Sequence, residues 1–262
     1  MTRYFVKPEQ ISGNNISFSP DDAHHMFIVL KMRPGSFCTA LDGTGRALYV
    51  QIDDLGRSHA TGRILRVDFP RTEANVRITV AQALPRTLDK LEWVLEHGTE
   101  LGASEFIVFS CERARENADR FLRKLDRWRE IVKTAAEQSE RVHLPEVNGI
   151  LPFSEVLATA AQHELALLAY EREKSCTLRE ALPSNARDVL IVIGPEGGFT
   201  DEEVAGARSA GLLAVSLGPR ILRTETAALV MSSQILYALE SSDDAARASD
   251  RPSVGAANSI AA

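Results

Sequence analysis

Along residues 1–72, apolar positions come in short runs broken by turn residues. Phe27-Ile28-Val29-Leu30 and Ala47-Leu48-Tyr49-Val50 alternate with Arg33-Pro34-Gly35 and Asp42-Gly43-Thr44-Gly45. This texture predicts strands joined by tight turns, with a hairpin at the Asp-Gly pair, and so a small β-barrel or sandwich. From Val76 the runs change. Val76–Ala83 reads as a strand, and Leu88, Leu91 and Leu95 follow at helical spacing up to Gly98 or Gly102. Glu105–Ser110 is a strand, and Phe121, Leu125, Trp128 and Val132 mark one face of a long helix. Leu165–Tyr170, Val189–Ile193 and Leu213–Leu217 are further strands, Thr200 with Glu203 opens a helix as a capping box, and Thr224–Leu239 is a last helix. Strands alternating with helices predict an α/β domain with a largely parallel sheet over 73–240. Residues 241–262 are rich in Ala, Ser and Asp without periodicity, and read as a disordered tail.

The chain has 262 residues, 44% of them hydrophobic and 25% charged, an ordinary globular composition. No apolar run reaches the ~18–20 residues that span a bilayer, and Met1–Gln10 lacks the apolar core of a signal peptide. The expectation is a cytoplasmic protein that does not engage membranes. Cys38, Cys111 and Cys176 stand far apart, with neither metal-ligand nor redox spacing. A net charge of -6 weighs against a nucleic-acid partner, but it is unevenly spread. Residues 1–72 hold nine Lys or Arg against seven Asp or Glu, a net of +2. Local patches set phosphate affinity, so the front of the chain stays a candidate RNA surface.

Chemistry concentrates in three segments. In Ile193-Gly194-Pro195-Glu196-Gly197-Gly198-Phe199-Thr200 an apolar strand runs into a glycine-rich loop and then a capped helix. Glycines allow close approach of a ligand to the backbone, and free helix amides favour an anionic group; a tight strand-to-helix turn accounts for the glycines equally well. The segment lacks the lysine of a phosphate loop. Leu217-Gly218-Pro219-Arg220-Ile221-Leu222-Arg223-Thr224-Glu225-Thr226-Ala227 also follows a strand and opens a helix, with Thr224 placed to cap it. Two such loops at strand ends make a ligand crevice. The third segment, Arg113 to Arg141, interleaves nine Lys or Arg with six acids and reads mostly as a solvated helix, with Arg141 where that helix ends.

With Thr99-Glu100-Leu101-Gly102 and Glu137-Gln138-Ser139-Glu140-Arg141, these loops stand in an order and spacing that resemble the 16S ribosomal RNA uridine-N3-methyltransferases of the SPOUT superfamily. The front is similar to that family's PUA-like RNA-binding domain in His24-His25 and Val29-Leu30-Lys31-Met32-Arg33-Pro34-Gly35. The chain departs from the family's usual residues at Lys31, Ser36, Pro85-Arg86 and His97. The resemblance implies a C-terminal SPOUT domain with a trefoil knot, a homodimer, S-adenosylmethionine as cofactor, and 16S rRNA of the small ribosomal subunit as partner. It implies a cofactor pocket from Gly194, Pro195, Glu196, Gly197, Gly198, Leu217, Gly218, Ile221, Leu222, Thr224, Thr226 and Ala227, and RNA contacts from Arg3, Lys31, Arg33 and Arg113. Methylation of N3 requires its proton to leave, so a base or a cation beside the uracil anion is needed. Arg141 and Arg223 are the candidates for phosphate or uracil-oxygen contacts, and Glu225 or Glu196 for the proton acceptor. Ala228, Met231, Ile235 and Leu239 form an apolar stripe that either enters the dimer interface or packs within its own subunit. No metal is expected, since His24 and His25 diverge and no acid or cysteine cluster joins them. The rival readings are a non-catalytic RNA-binding protein of the same fold, a transfer-RNA methyltransferase of the same superfamily, and a nucleotide-dependent enzyme.

Overall fold

The computed structural model describes residues 2–114 and 123–249, with side chains to Glu240. Phe121 and the tail beyond Ser249 lie outside the described residues. The first sheet contains β1 (Arg3–Phe5), β2 (Ile11–Ser12), β3 (Asn15–Ser17), β4 (Phe37–Leu41), β5 (Ala47–Leu55) and β6 (Ala60–Asp68), in the order β1-β4-β5-β6-β3-β2. The Asp-Gly hairpin is there. β4 and β5 pair antiparallel from Phe37↔Gln51 to Leu41↔Ala47. Gly43 at φ 75° supplies the left-handed turn, and the Asp42 carboxylate accepts from the amides of Thr44 and Arg46.

Phe27–Leu30 is not a strand. Ser19 caps α1 (Pro20–His24), its hydroxyl accepting from the Asp22 amide, with Pro20 at the first helical position. One turn of π-helix then continues over His25–Val29. Ala23 and Met26, three residues apart, take the buried side, leaving Phe27, Ile28, Val29 and Leu30 exposed. A short apolar run carries no period that separates these outcomes; the capped start decided it.

The second sheet contains β7 (Arg77–Ala83), β8 (Glu105–Ser110), β9 (Glu146–Pro152), β10 (Leu165–Ala169), β11 (Asp188–Ile193) and β12 (Leu213–Val215). Its order is β12-β10-β11-β7-β8-β9, and each pair is parallel. Helices α2 (Leu88–Leu101), α3 (Leu125–Gln138), α4 (Phe153–Thr159), α5 (Leu178–Ala181), α6 (Asp201–Ser209) and α7 (Thr224–Ser249) join the strands or follow them. Cover on both faces explains why β7 and β11 read as nearly continuous apolar runs. The T-x-x-E box opens α6 as expected, Thr200 Oγ1 accepting from the Glu203 amide.

For α7 the structure selects one of two open alternatives and moves one boundary. Ala228, Met231, Ile235 and Leu239 are at most 1% exposed and pack into the domain's own core, so this stripe is not a free dimer face. The helix also runs through Ser249, past the expected boundary at 241. The alanines of Ser241–Ser249 are strong helix formers, and a helix already nucleated extends at little cost.

The two sheets meet in a small core of Phe5, Leu41 and Ala47 against Ala136 and Val142. Around it the Phe5 amide donates to Glu137 at 2.8 Å, and Lys133 pairs with Asp22 at 3.1 Å.

Candidate active site

Three loops meet at the carboxyl ends of neighbouring parallel strands and enclose a cavity. Gly194, Gly198 and Phe199 come from the loop after β11, and Ser216 to Leu222 from the loop after β12, with Thr224 and Ala227 on the first turn of α7. The third loop, after β10, brings Tyr170 and Glu171. Sequence reasoning missed this one; the signal was a third apolar strand, Leu165–Tyr170, ending in Glu171. Of the expected pocket residues, Gly194, Gly198, Leu217, Gly218, Ile221, Leu222, Thr224 and Ala227 line the cavity. Pro195, Glu196, Gly197 and Thr226 do not.

The loops are tied together by one hydroxyl. Thr224 Oγ1 donates to the Gly194 carbonyl at 2.5 Å and accepts from Gln82 Nε2 at 2.9 Å. Thr224 is the first residue of α7, and among the described residues its hydroxyl bonds no helix amide, so the expected cap is corrected to a bridge from the ends of β7 and β11 to the start of α7. Gly194 has a steric reason: a Cβ there would stand 2.8 Å from the buried Phe199 ring, which stacks on Phe153. Gly198 has φ 69°, and a Cβ there would lie 3.0 Å from Glu171 Oε1. Glycine lets this carboxylate come up to the loop.

A second polar cluster lies where β7 and β11 adjoin, the point at which the strand order reverses and α/β sheets bind ligands. Glu196 accepts from Lys90 Nζ at 2.7 Å, and both its oxygens accept from the Arg86 amide at 3.2 Å. Burial pushes the Glu196 carboxyl up, but the Lys90 ammonium and backbone amides outweigh it and hold the group below the usual carboxylate range. Glu225, on the first turn of α7, has Oε2 3.9 Å from Lys90 Nζ. That oxygen is buried and has no hydrogen-bond partner.

Arg141 is placed elsewhere. It is 4% exposed, donates to Glu73 through Nε and Nη2 at 3.0 and 2.6 Å, and reaches the carbonyls of Thr99 and Ala103 through Nη1 at 3.1 and 2.6 Å. A guanidinium committed this fully to the interior cannot meet a phosphate or uracil, so its expected substrate role is corrected to a structural one. The Thr99–Gly102 and Glu137–Arg141 segments are thus two halves of one joint. Gly102, at φ 105°, ends α2, and Arg141 binds the carbonyls on either side of it.

Among the expected RNA contacts, Arg113 donates to the carbonyls of Gly197 and Phe199 and braces the glycine loop. Arg3 pairs with Glu140 at 2.8 Å. Lys31 and Arg33 are exposed. Arg220 and Arg223 are exposed, and neither has an ion-pair partner among the described residues. His25 is occupied by Tyr4, whose hydroxyl lies 3.1 Å from Nδ1. Among the described residues no group of three or more His, Cys, Asp or Glu is arranged to hold a metal ion, and no helix is long and apolar enough to cross a membrane.

A parallel sheet whose strand-end loops enclose a cavity, backed by paired carboxylates and a lysine, defines an α/β enzyme domain for a small organic ligand. Residues 72–236 match the RNA methyltransferase domain family. The chain is 32% identical over 252 residues to Ribosomal RNA small subunit methyltransferase E of Bacillus subtilis, covering 92% of this chain and 98% of that one. It is 38% identical over 242 residues to the protein of the same name from Synechocystis, covering 91% and 78%. A crystal structure of a Ribosomal RNA small subunit methyltransferase E from Neisseria gonorrhoeae, bound to S-adenosyl methionine, superposes with a TM-score of 0.81 at 32% identity, covering 90% and 96%. The chain belongs to the RNA methyltransferase family.

Proposed function

We propose that the protein is an S-adenosylmethionine-dependent methyltransferase that methylates N3 of a uridine in 16S rRNA of the small ribosomal subunit. The observation that carries the reading is the cavity itself. Its walls offer apolar faces for a planar base (Ile193, Leu217, Leu222) and backbone groups for the base edge over Ser216–Leu222. Glu171 faces it, a carboxylate suited to a ligand bearing sulfonium and ammonium charges. The RNA methyltransferase family and the cofactor bound in the Neisseria relative point the same way. We extend the reading to a cytoplasmic homodimer with a knotted C-terminal domain, and with the first sheet as a PUA-like RNA-binding domain.

When bound, S-adenosylmethionine supplies an electrophilic methyl group. The protein's task is to orient the uridine and take up its proton. Glu225 would take the N3 proton, which would free the nitrogen pair to accept the methyl group that bound S-adenosylmethionine would supply. Glu225 fits the acceptor role better than Glu196, whose two oxygens already accept hydrogen bonds from Lys90 and the Arg86 amide. Arg223 and Arg220, exposed beside the cavity, are suited to phosphate or uracil oxygens.

The deciding experiment incubates the protein and methyl-labelled S-adenosylmethionine with small subunits from a strain lacking it, then identifies the labelled nucleoside by mass spectrometry. Label in 3-methyluridine of 16S rRNA is expected; label only on transfer RNA overturns the substrate. Gly194→Ala tests the pocket. The added methyl meets a ring with no room to move, so we expect about 1–3 kcal/mol of lost stability and cofactor binding weaker by about tenfold or more. A melt and a calorimetric titration check both.

A further inference from the structure

Lys90 belongs to none of the glycine-rich loops, yet its ammonium is shared by carboxylates from two of them. It donates to Glu196 at 2.7 Å and stands 3.9 Å from Glu225 Oε2. Its position is set by α2, where it occupies the first turn just after the Arg86 amide that also binds Glu196. Both oxygens of Glu196 are engaged by these donors. Glu225 differs: its Oε2 is buried without a donor, although its side chain keeps 15% exposure. A buried carboxylate oxygen with no hydrogen bond is costly, and a nearby cation is the usual compensation.

We propose that Lys90 is a positioning residue for methyl transfer: anchored by Glu196, it sets its positive charge beside Glu225 and fixes that carboxylate in place to accept the proton of the target nitrogen. This rests on the reading of Glu225 as acceptor. The charged group beside Glu225 is Lys90 from α2, which it shares with Glu196 from the loop after β11. Arg223 precedes it on the chain by two residues, and Arg86 turns its backbone amide to Glu196. Of these, only Lys90 forms an ion pair with Glu225 among the described residues. The arrangement divides labour between two acids, one holding the lysine and one held by it.

The test is the pH dependence of kcat for the wild type, Lys90→Met, Lys90→Arg, Glu225→Gln and the double variant Lys90→Met with Glu225→Gln. Cofactor binding is followed by calorimetry and folding by thermal melting. Removing a cation beside a carboxylate raises its pKa, so the acid limb of Lys90→Met moves up by about one pH unit or more, and kcat near neutrality falls about 10-fold or more. Lys90→Arg restores the limb. In the Glu225→Gln background the Lys90→Met change moves nothing further, because the two residues act as a unit. A Lys90→Met protein with reduced kcat but an unmoved acid limb makes Lys90 a tether for Glu196 and overturns the proposal, with Glu225 still standing as acceptor. Glu225→Gln with wild-type turnover overturns the acceptor reading, and the proposal with it. If Lys90→Met melts early, Lys90→Gln, which keeps a donor for Glu196, is read against the same limbs.

Discussion

Replacing Arg141 by Leu costs about 3–5 kcal/mol of stability, the price of leaving a partly buried carboxylate without its ion-pair partner. Glu73 loses two charge-assisted hydrogen bonds, and the carbonyls of Thr99 and Ala103 each lose one from Arg141. Urea unfolding at pH 7 checks the figure. The pH dependence checks the cause. Burial raises the Glu73 carboxyl, but the Arg141 guanidinium and the amides of His143 and Val142 outweigh it and hold the group below its ordinary value. A carboxylate with a depressed folded pKa contributes stability in full above its unfolded value of about 4.3, and that contribution is lost as pH falls through the folded pKa. The gap between wild type and Arg141→Leu is therefore widest near neutrality and closes on acidification. A constant gap down to pH 3 would assign the loss to packing. Cofactor binding by the folded variant stays near wild type, since Arg141 does not line the cavity.

Glu225→Gln lowers kcat by about 100- to 10,000-fold, the usual contribution of a positioned base. The substitution preserves shape and removes the charge, so stability and cofactor affinity change little. Single-turnover kinetics on small subunits measures the chemical step directly. A drop confined to KM would make Glu225 a substrate-binding group instead, and full turnover across pH would leave the proton to another acceptor.

Glu105–Ser110 was legible to the residue, because four consecutive apolar positions, Phe106 to Phe109, bounded by Glu105 and Ser110 fit a strand covered on both faces. Glu146–Pro152 was not: Asn148-Gly149 interrupts its pattern, and it is a strand because it pairs beside β8. The glycine loops were legible as chemistry, but not their division into members that line the cavity and members that brace it. Pro195, Glu196, Gly197 and Thr226 lie within the same motifs as true lining residues, and only the path of the loop separates them.

The sequence by itself determined the α/β class, the Asp-Gly hairpin, the capping box at Thr200 and the two glycine-rich loops at strand ends, because each rests on interactions among residues a few positions apart. Tertiary structure alone decided what distant side chains do. It buried Arg141 against Glu73, 68 residues away, and turned a presumed substrate contact into a joint. It turned the apolar stripe of α7 inward. It brought Lys90 to Glu196, 106 residues on, and left a buried oxygen of Glu225 beside them without a donor. Charge pairing depends on distance in space, and a one-dimensional pattern fixes that distance only within a turn or a strand.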